Sequence, residues 1–218
     1  MKLLPAILTD SITTLQSQVE LVRESPLIET IHIDVIDGLF ADNLTVTPVD
    51  LIATEFAPLT LDFHLMTEEP MDYVYELGGV KEYLPIRRVY GQVERMSFQA
   101  DFLQEVRVNG WEGGLALDLF TPLDAIDDDV WQNLSALLLM SVEAGQQGET
   151  FHDSIFAKIK EVSEHVEKSS SLSIVLDGGI KQSLLPKLRD AQIAEAVVGS
   201  AIWQAAEPLH ALEELHRI

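Results

Sequence analysis

The sequence predicts a single (β/α)8 barrel, or TIM barrel, formed by residues 1–218. Eight short apolar runs recur along the chain, and longer segments whose apolar residues have helical spacing lie between them. Strands that alternate with helices pair in parallel through right-handed crossovers, and eight such units close into a barrel. The alternative is an open doubly wound sheet. It would be expected to have a glycine-rich loop after the first strand, but "AILTDSITT" (6–14) contains no glycine.

The predicted strands are runs of apolar and β-branched residues of strand length. They occupy residues 5–8, 28–36, 59–66, 83–90, 114–120, 136–144, 172–179 and 194–201.

Roughly eight helical segments are expected between and after these strands, and five are defined by their pattern. They are residues 11–24, 97–110, 151–168, 181–190 and 203–218. Ser11 is a good N-cap for the first, Asn109-Gly110 is a good stop for the second, and Pro186 and Pro208 suit first turns. The acidic run at 124–131 is interpreted as a solvated helix face.

Composition and charge exclude several classes of protein. Lys+Arg 14 against Asp+Glu 36 gives a net charge of −22, so binding to nucleic acid or to anionic lipid is not expected. No apolar run is long enough to span a membrane, and the N-terminus does not resemble a signal peptide. The chain has no cysteine, which excludes disulfides and agrees with a cytoplasmic location.

Ionisable residues at the ends of predicted strands indicate a metal site. His32 and Asp34 end the second strand and share a face, His64 ends the third, and Asp177 ends the seventh. In a barrel these ends meet at one mouth, and two imidazoles with two carboxylates suit one divalent ion such as Zn, Mn, Fe or Co. Each residue alone could be structural, as a hydrogen-bonded core histidine or a helix cap. Asp37 and Asp62 are interpreted as structural, and no partner is predicted for Asp62.

Glycines near the same mouth indicate a phosphate site. Gly178 and Gly179 follow the seventh strand, and Gly199 and Ser200 follow the eighth, where barrels often bind phosphate through backbone N–H groups. Gly145 and Gly148 lie in residues 140–152, which suit a mobile flap over the site. The glycine pairs could equally be turns, and the flap an ordinary loop.

The order of these motifs resembles the ribulose-phosphate 3-epimerase family. The motifs are "HIDVIDGLFADN" (32–43), "DFHLM" (62–66), "GLALDLFTPLDAI" (114–126), "LDGGI" (176–180) and "GSAI" (199–202). The resemblance runs from Pro5 to about Trp203 and implies a barrel of the ribulose-phosphate-binding type.

The resemblance also implies an activity. A divalent metal ion would be held by His32, Asp34, His64 and Asp177, with Asp34 and Asp177 as the acid/base pair. The reaction would invert C3 of a ketose phosphate, D-ribulose 5-phosphate or D-xylulose 5-phosphate, by two-base proton transfer through a metal-stabilised enediolate. Met66 and Met140 would form an apolar wall of the site. The implied protein is an isomerase of the pentose phosphate pathway and a homo-oligomer of two or more copies.

Departures from the family pattern leave alternatives open. Ala6 replaces a serine that touches substrate, and the flap has become "EAGQQGETF" (143–151), with a carboxylate at Glu149. The fourth strand carries Arg87 and Arg88, which could meet an anion inside the barrel or face solvent near its bottom. The alternatives are an epimerase acting on another ketose phosphate, such as a hexulose 6-phosphate, and a non-catalytic ligand-binding paralogue.

Overall fold

The predicted (β/α)8 barrel is confirmed by a computed structural model, which describes residues 1–145, 148–165 and 172–217. Eight parallel strands follow one another around the barrel, and β8 closes it by pairing with β1. The strands are β1 Lys2–Ile7, β2 Thr30–Ile36, β3 Thr60–Met66, β4 Ile86–Gln92, β5 Glu112–Leu117, β6 Ala136–Met140, β7 Ser173–Asp177 and β8 Glu195–Val198.

Seven α-helices in the described residues surround the barrel, and each of the five predicted segments contains at least one. They are α1 Ile12–Arg23, α2 Pro70–Val80, α3 Gln99–Val108, α4 Ile155–His165, α5 Leu185–Asp190, α6 Ser200–Trp203 and α7 Pro208–His216. The hydroxyl of Ser11 accepts a hydrogen bond from the backbone N–H of Thr14 at 3.2 Å, as expected of an N-cap. Residues 166–168 and 218 of two predicted helices lie outside the described residues. None of the described helices has the length and apolar character needed to cross a bilayer.

Two connections, all of whose residues are described, lack the α-helix that was expected. The β2–β3 connection has a 3-10 helix, Pro48–Ala53, and the β5–β6 connection has two short ones, Leu123–Ala125 and Trp131–Asn133. The predicted helix at 124–131 is therefore wrong. Aspartate is a poor helix former, and the run instead makes a turn in which the N–H of Val130 donates to the carbonyl of Asp127.

Some strand boundaries in the structure differ by a few residues from the predicted ones, where the sequence pattern was ambiguous. β4 begins at Ile86 rather than at 83, and β8 ends at Val198 because α6 begins at Ser200.

The barrel buries two apolar layers. Outside the sheet, helix stripes such as Ile155, Ile159 and Val162 of α4 pack onto the strands. The second layer is a cluster of buried residues from alternate positions of the strands. Its members are Leu4, Ala6, Tyr90, Ala116, Ala136, Leu138, Met140, Val142, Val175 and Val197. The alternation that puts these residues together also directs His32, Asp34 and His64 to the same face of their strands.

Five charged residues close the lower end of the barrel. We call Asp62, Arg87, Arg88, Glu112 and Glu195 the ionic floor. Arg88 donates to Glu195 at 2.7 Å and to Glu112 at 2.6 Å. Arg87 donates through Nε to Asp62 at 2.7 Å and through Nη1 to Glu195 at 2.9 Å. Both arginines therefore meet anions near the bottom of the barrel, and these anions are the protein's own carboxylates. Arg87 is the partner of Asp62 that was not predicted.

A β-bulge explains why two successive arginines reach the same floor. Leu61 pairs with Ile86 and Asp62 pairs with Arg88, so Arg87 is an extra residue on β4. Such a bulge breaks the alternation of side chains across the sheet.

Candidate active site

The strand ends bring all four predicted metal ligands together. Asp34 on β2 pairs in register with His64 on β3, and His32 lies two residues before Asp34. Asp177 ends β7. Each of the four residues offers one ligand atom, and these atoms all lie within 4.8 Å of one another. Side chains separated by up to 145 positions in the sequence (32 to 177) therefore meet at one point.

Asp34 lies at the centre of the cluster. Its Oδ1 is 3.1 Å from Nδ1 of His64 and 3.5 Å from Nε2 of His32. Nδ1 of His64 is also 4.0 Å from Oδ2 of Asp177. Both imidazoles are fully buried, whereas the side chain of Asp177 is partly exposed.

The two carboxylates have opposite proton affinities. Burial by itself would raise the pKa of Asp34, but the neighbouring imidazoles of His32 and His64 outweigh it and hold that pKa well below its usual value. Burial and the negative charge of Asp34 raise the pKa of Asp177 to about 7. At neutral pH Asp34 is therefore ionised while Asp177 can carry a proton.

The two imidazoles also differ. Burial would lower the pKa of His32, but the carboxylates of Asp34 and Asp177 raise it above its ordinary value. Burial dominates for His64 and lowers its pKa. A metal ligand must be a neutral imidazole, so a cation at this point would displace a proton from His32 more often than from His64.

The donor set fits a divalent metal ion. Both ring nitrogens of His32 are buried and lack a hydrogen-bond partner in the described residues. A buried polar atom without a partner is costly, and a cation would supply the partner that Nε2 lacks. Two nitrogen and two oxygen donors at these separations also suit tetrahedral coordination, in which ligands lie about 2.0–2.2 Å from the ion.

A narrow cavity of about 40 Å³ adjoins the cluster at the barrel mouth. Its walls include both carboxylates, both predicted methionines and all six predicted phosphate-site residues. These are Asp34, Asp177, Met66, Met140, Gly145, Gly148, Gly178, Gly179, Gly199 and Ser200. Residues 146 and 147 of the predicted flap lie outside the described residues.

Backbone conformation explains the two glycines after β7. Gly178 and Gly179 have φ of +106° and +59°, which favour glycine. A Cβ on Gly179 would lie 2.5 Å from the backbone N of Phe151 and 2.8 Å from the carbonyl O of Glu149. The loop after β6 therefore packs directly on the turn that follows Asp177.

The sequence did not reveal the groups that hold these loops. The side-chain amide of Asn43 donates to the carbonyl of Gly145 at 3.0 Å, which links the β2 loop to the loop after β6. Ser141, fully buried, donates to the carbonyl of Asp177 at 2.8 Å. Asp37 accepts from the backbone N–H of Glu68 at 2.7 Å, so its interpretation as structural fits its contacts. Asn43 is the last residue of the "HIDVIDGLFADN" motif, and no sequence pattern indicates a role for Ser141.

A wider groove of about 500 Å³ lies elsewhere, on the outer wall between α2 and α3. It is lined by Tyr75, Phe98 and several carboxylates and contains none of the four clustered residues. We place the chemistry at the smaller cavity, because that is where buried titratable groups converge.

Comparison with known proteins shows the family to which this chain belongs. The profile of the Ribulose-phosphate 3 epimerase family matches residues 2–203. The ribulose-phosphate 3-epimerase of Bacillus subtilis (strain 168) is 32% identical over 219 residues, which cover 98% of this chain and 97% of that protein. The ribulose-phosphate 3-epimerase, cytoplasmic isoform, of Oryza sativa subsp. japonica is 28% identical over 222 residues, which cover 99% and 93%. The crystal structure of 3-hexulose-6-phosphate synthase from Salmonella typhimurium superposes on this chain with a TM-score of 0.71 at 14% sequence identity. The match covers 100% of this chain and 97% of that chain and shows a shared fold. This chain belongs to the ribulose-phosphate 3-epimerase family and is an isomerase similar to those enzymes.

Proposed function

We propose that this protein inverts C3 of a ketose phosphate and interconverts D-ribulose 5-phosphate and D-xylulose 5-phosphate in the pentose phosphate pathway. The observation that carries the proposal is the meeting of His32, Asp34, His64 and Asp177 at one point of a barrel that belongs to the ribulose-phosphate 3-epimerase family.

Asp34 and Asp177 are the proposed acid/base pair. Inversion requires that one group removes the C3 proton while another delivers a proton to the opposite face. Asp34 would act as the base and Asp177 as the acid in one direction, and the opposite pKa shifts of the two carboxylates in the metal-free site support the assignment of different roles to them. In the reverse direction the two carboxylates exchange these roles.

His32, Asp34, His64 and Asp177 would hold one divalent ion, such as Zn, Mn, Fe or Co. The ion would stabilise the negative charge that develops on the substrate oxygens next to C3. His32 and His64 would supply neutral nitrogen ligands. The negative charge of the site therefore comes from Asp34 and Asp177, the same two carboxylates that move protons.

The phosphate end of the substrate would be bound by backbone N–H groups near Gly178, Gly179, Gly199 and Ser200, with Gly145 and Gly148 on the facing loop. Glycine has no side chain to hinder the approach of a phosphate. Such local binding is required because the net charge of −22 repels an anion over longer distances.

Met66 and Met140 would keep water away from the deprotonated sugar. Both are buried and line the cavity beside Asp34 and Asp177. An apolar wall strengthens electrostatic interactions inside the site and limits stray proton exchange.

A different ketose phosphate, such as a hexulose 6-phosphate, is the second candidate. It is favoured by Ala6, which lines the cavity without the hydroxyl that a serine would supply. A panel of pentulose and hexulose phosphates would separate the two, because the true substrate should give the highest kcat/KM.

We also propose that residues 1–218 form one domain, that the protein works in the cytoplasm and that it forms a homo-oligomer. Closure of the barrel by all eight strands supports the first, and the name of the rice relative supports the second. The third is supported by Leu39 and Leu44, which are 68% and 61% exposed in the loop after β2.

Exchange of the C3 proton with solvent tests the proposed activity. Protein loaded with Mn²⁺, Zn²⁺, Fe²⁺ or Co²⁺ is mixed with ribulose 5-phosphate in D₂O, and deuterium at C3 is followed by NMR. We expect exchange and conversion to xylulose 5-phosphate with wild type, and loss of the conversion in Asp177→Asn, because inversion requires both carboxylates. Absence of exchange with every pentulose and hexulose phosphate and every metal would refute the proposal.

A further inference from the structure

Tyr90 lies against the metal cluster without belonging to it. It projects from β4 into the barrel and is fully buried. Its ring centroid is 6.0 Å from that of His32, with an angle of 40° between the planes. No step of the proposed reaction uses it.

The position of Tyr90 is fixed from two sides. Its hydroxyl accepts a hydrogen bond from Nη1 of Arg88 at 2.7 Å, and Arg88 is itself held by Glu195 and Glu112. Its ring occupies the space above Gly114 of β5, where a Cβ would lie 2.4 Å from Cδ1 of Tyr90. The ring therefore has little freedom to move away from His32.

His32, by contrast, has only the 3.5 Å contact of Nε2 with Asp34, and its Nδ1 has no hydrogen-bond partner in the described part of the chain. Metal-binding histidines usually donate their second N–H to a carboxylate, carbonyl or water, which sets the orientation of the ring. Nε2 faces Oδ1 of Asp34 at 3.5 Å, on the side where a metal would bind, and the second nitrogen, Nδ1, has no partner among the described residues. Packing must therefore help to set the orientation of this imidazole, and the neighbouring rings are those of His64 and Tyr90.

We infer that Tyr90 is a positioning residue: its ring, anchored through Arg88 to the ionic floor, holds the imidazole of His32 in the orientation that coordinates the metal. This inference rests on the proposed metal centre and adds a residue from a strand that supplies no ligand.

Metal affinity and the visible spectrum of the Co²⁺ protein test the inference without any measurement of turnover. Tyr90→Leu removes the ring, Tyr90→Met replaces it with a longer flexible chain, and Tyr90→Phe keeps the ring but loses the bond to Arg88. Phe102→Leu is the matched control, because Phe102 is equally buried but packs between α3 and the outside of β4, where a Cβ on Gly91 would lie 2.8 Å from it. Urea melts of all four variants show how much stability each has lost.

We expect Tyr90→Leu and Tyr90→Met to bind Co²⁺ about 10–100-fold more weakly than wild type, the range found for residues that orient metal ligands. Their absorption bands should shift, since the coordination angle at His32 changes. Tyr90→Phe should retain most of the affinity, because its ring still packs above Gly114 even without the bond to Arg88. Phe102→Leu should keep both affinity and spectrum despite a similar loss of stability.

Two results would overturn the inference, and they differ in what they say about the proposed function. If wild type binds Co²⁺ but Tyr90→Leu or Tyr90→Met matches Phe102→Leu in affinity and spectrum, the positioning role is wrong and the metal centre stands. If wild type itself binds no divalent ion, both the positioning role and the proposed metal centre fail. Should Tyr90→Leu not fold, Tyr90→Met decides by the same comparison.

Discussion

Binding of a divalent ion should release protons in an amount that depends on pH, because Asp177 is partly protonated when the metal is absent. Its pKa is raised to about 7 by burial and by the charge of Asp34. A carboxyl group with that pKa carries about 0.9 proton at pH 6, about 0.5 at pH 7 and about 0.1 at pH 8, and coordination requires that it be lost. Asp177 alone should therefore raise the apparent affinity about tenfold between pH 6 and pH 8.

His32 adds to this effect in the same direction. Its pKa is raised above its ordinary value by Asp34 and Asp177, so it releases a further proton on coordination. The slope of log affinity against pH should accordingly be steeper at pH 6 than at pH 8.

Proton release can be measured directly in weakly buffered solution with a pH indicator during titration with Mn²⁺, or by calorimetry in two buffers of different ionisation enthalpy. Asp177→Asn is the control, because an amide has no proton to release on coordination. The difference between wild type and this variant should follow the titration of a group with a pKa near 7. A release that is constant from pH 6 to pH 8, or identical in both proteins, would contradict the assignment of Asp177 as a metal ligand with a raised pKa.

Three further predictions concern the ionic floor and the turn that follows Asp177. Arg87→Met should lower the free energy of unfolding by about 3–5 kcal/mol, because it removes both hydrogen bonds to the buried carboxylate of Asp62 and leaves only Arg88, 3.8 Å away, as its cation. Combining it with Asp62→Leu should restore most of that loss in urea melts, and no recovery would show that the pair is not the cause. Gly179→Ala should raise KM for the sugar phosphate, since its Cβ would collide with the backbone of Phe151, and an unchanged KM would place the phosphate elsewhere. Burial would raise the pKa of Glu195, but the interactions with Arg87 and Arg88 outweigh burial and lower that pKa. The ionised Glu195 therefore stabilises the fold above its ordinary pKa of 4.5, and this stabilisation is lost as the pH falls below that value. Glu195→Gln should flatten this acid limb of the stability curve, and an unchanged limb would count against the salt bridge.

Alternation along strands explains why the cluster of His32, Asp34, His64 and Asp177 could be predicted from the sequence. Residues two apart on a strand share a face, so His32 and Asp34 had to point the same way, and closure of the barrel brought His64 and Asp177 to them. The same rule places Asp62 on the face of His64, so its inward position could have been predicted, although its partner could not.

Departures from regular geometry explain what the sequence could not predict. The bulge that sends Arg87 and Arg88 to one floor violates the alternation on which the prediction depends. The contact of Tyr90 with His32 depends on the absence of a side chain at Gly114, on a different strand, and no local pattern encodes it. Likewise, the bond between Asn43 and Gly145 joins loops 102 residues apart and follows only from the closed barrel.

Anomalous X-ray scattering from crystals grown with Co²⁺ or Zn²⁺ tests the central claim most directly. The account predicts one strong peak at the barrel mouth, about 2.0–2.3 Å from a nitrogen of His32, a nitrogen of His64 and a carboxylate oxygen of Asp34 and of Asp177. A map with no peak there, or with the ion bound only by surface carboxylates, would contradict the claim that these four side chains form a metal centre.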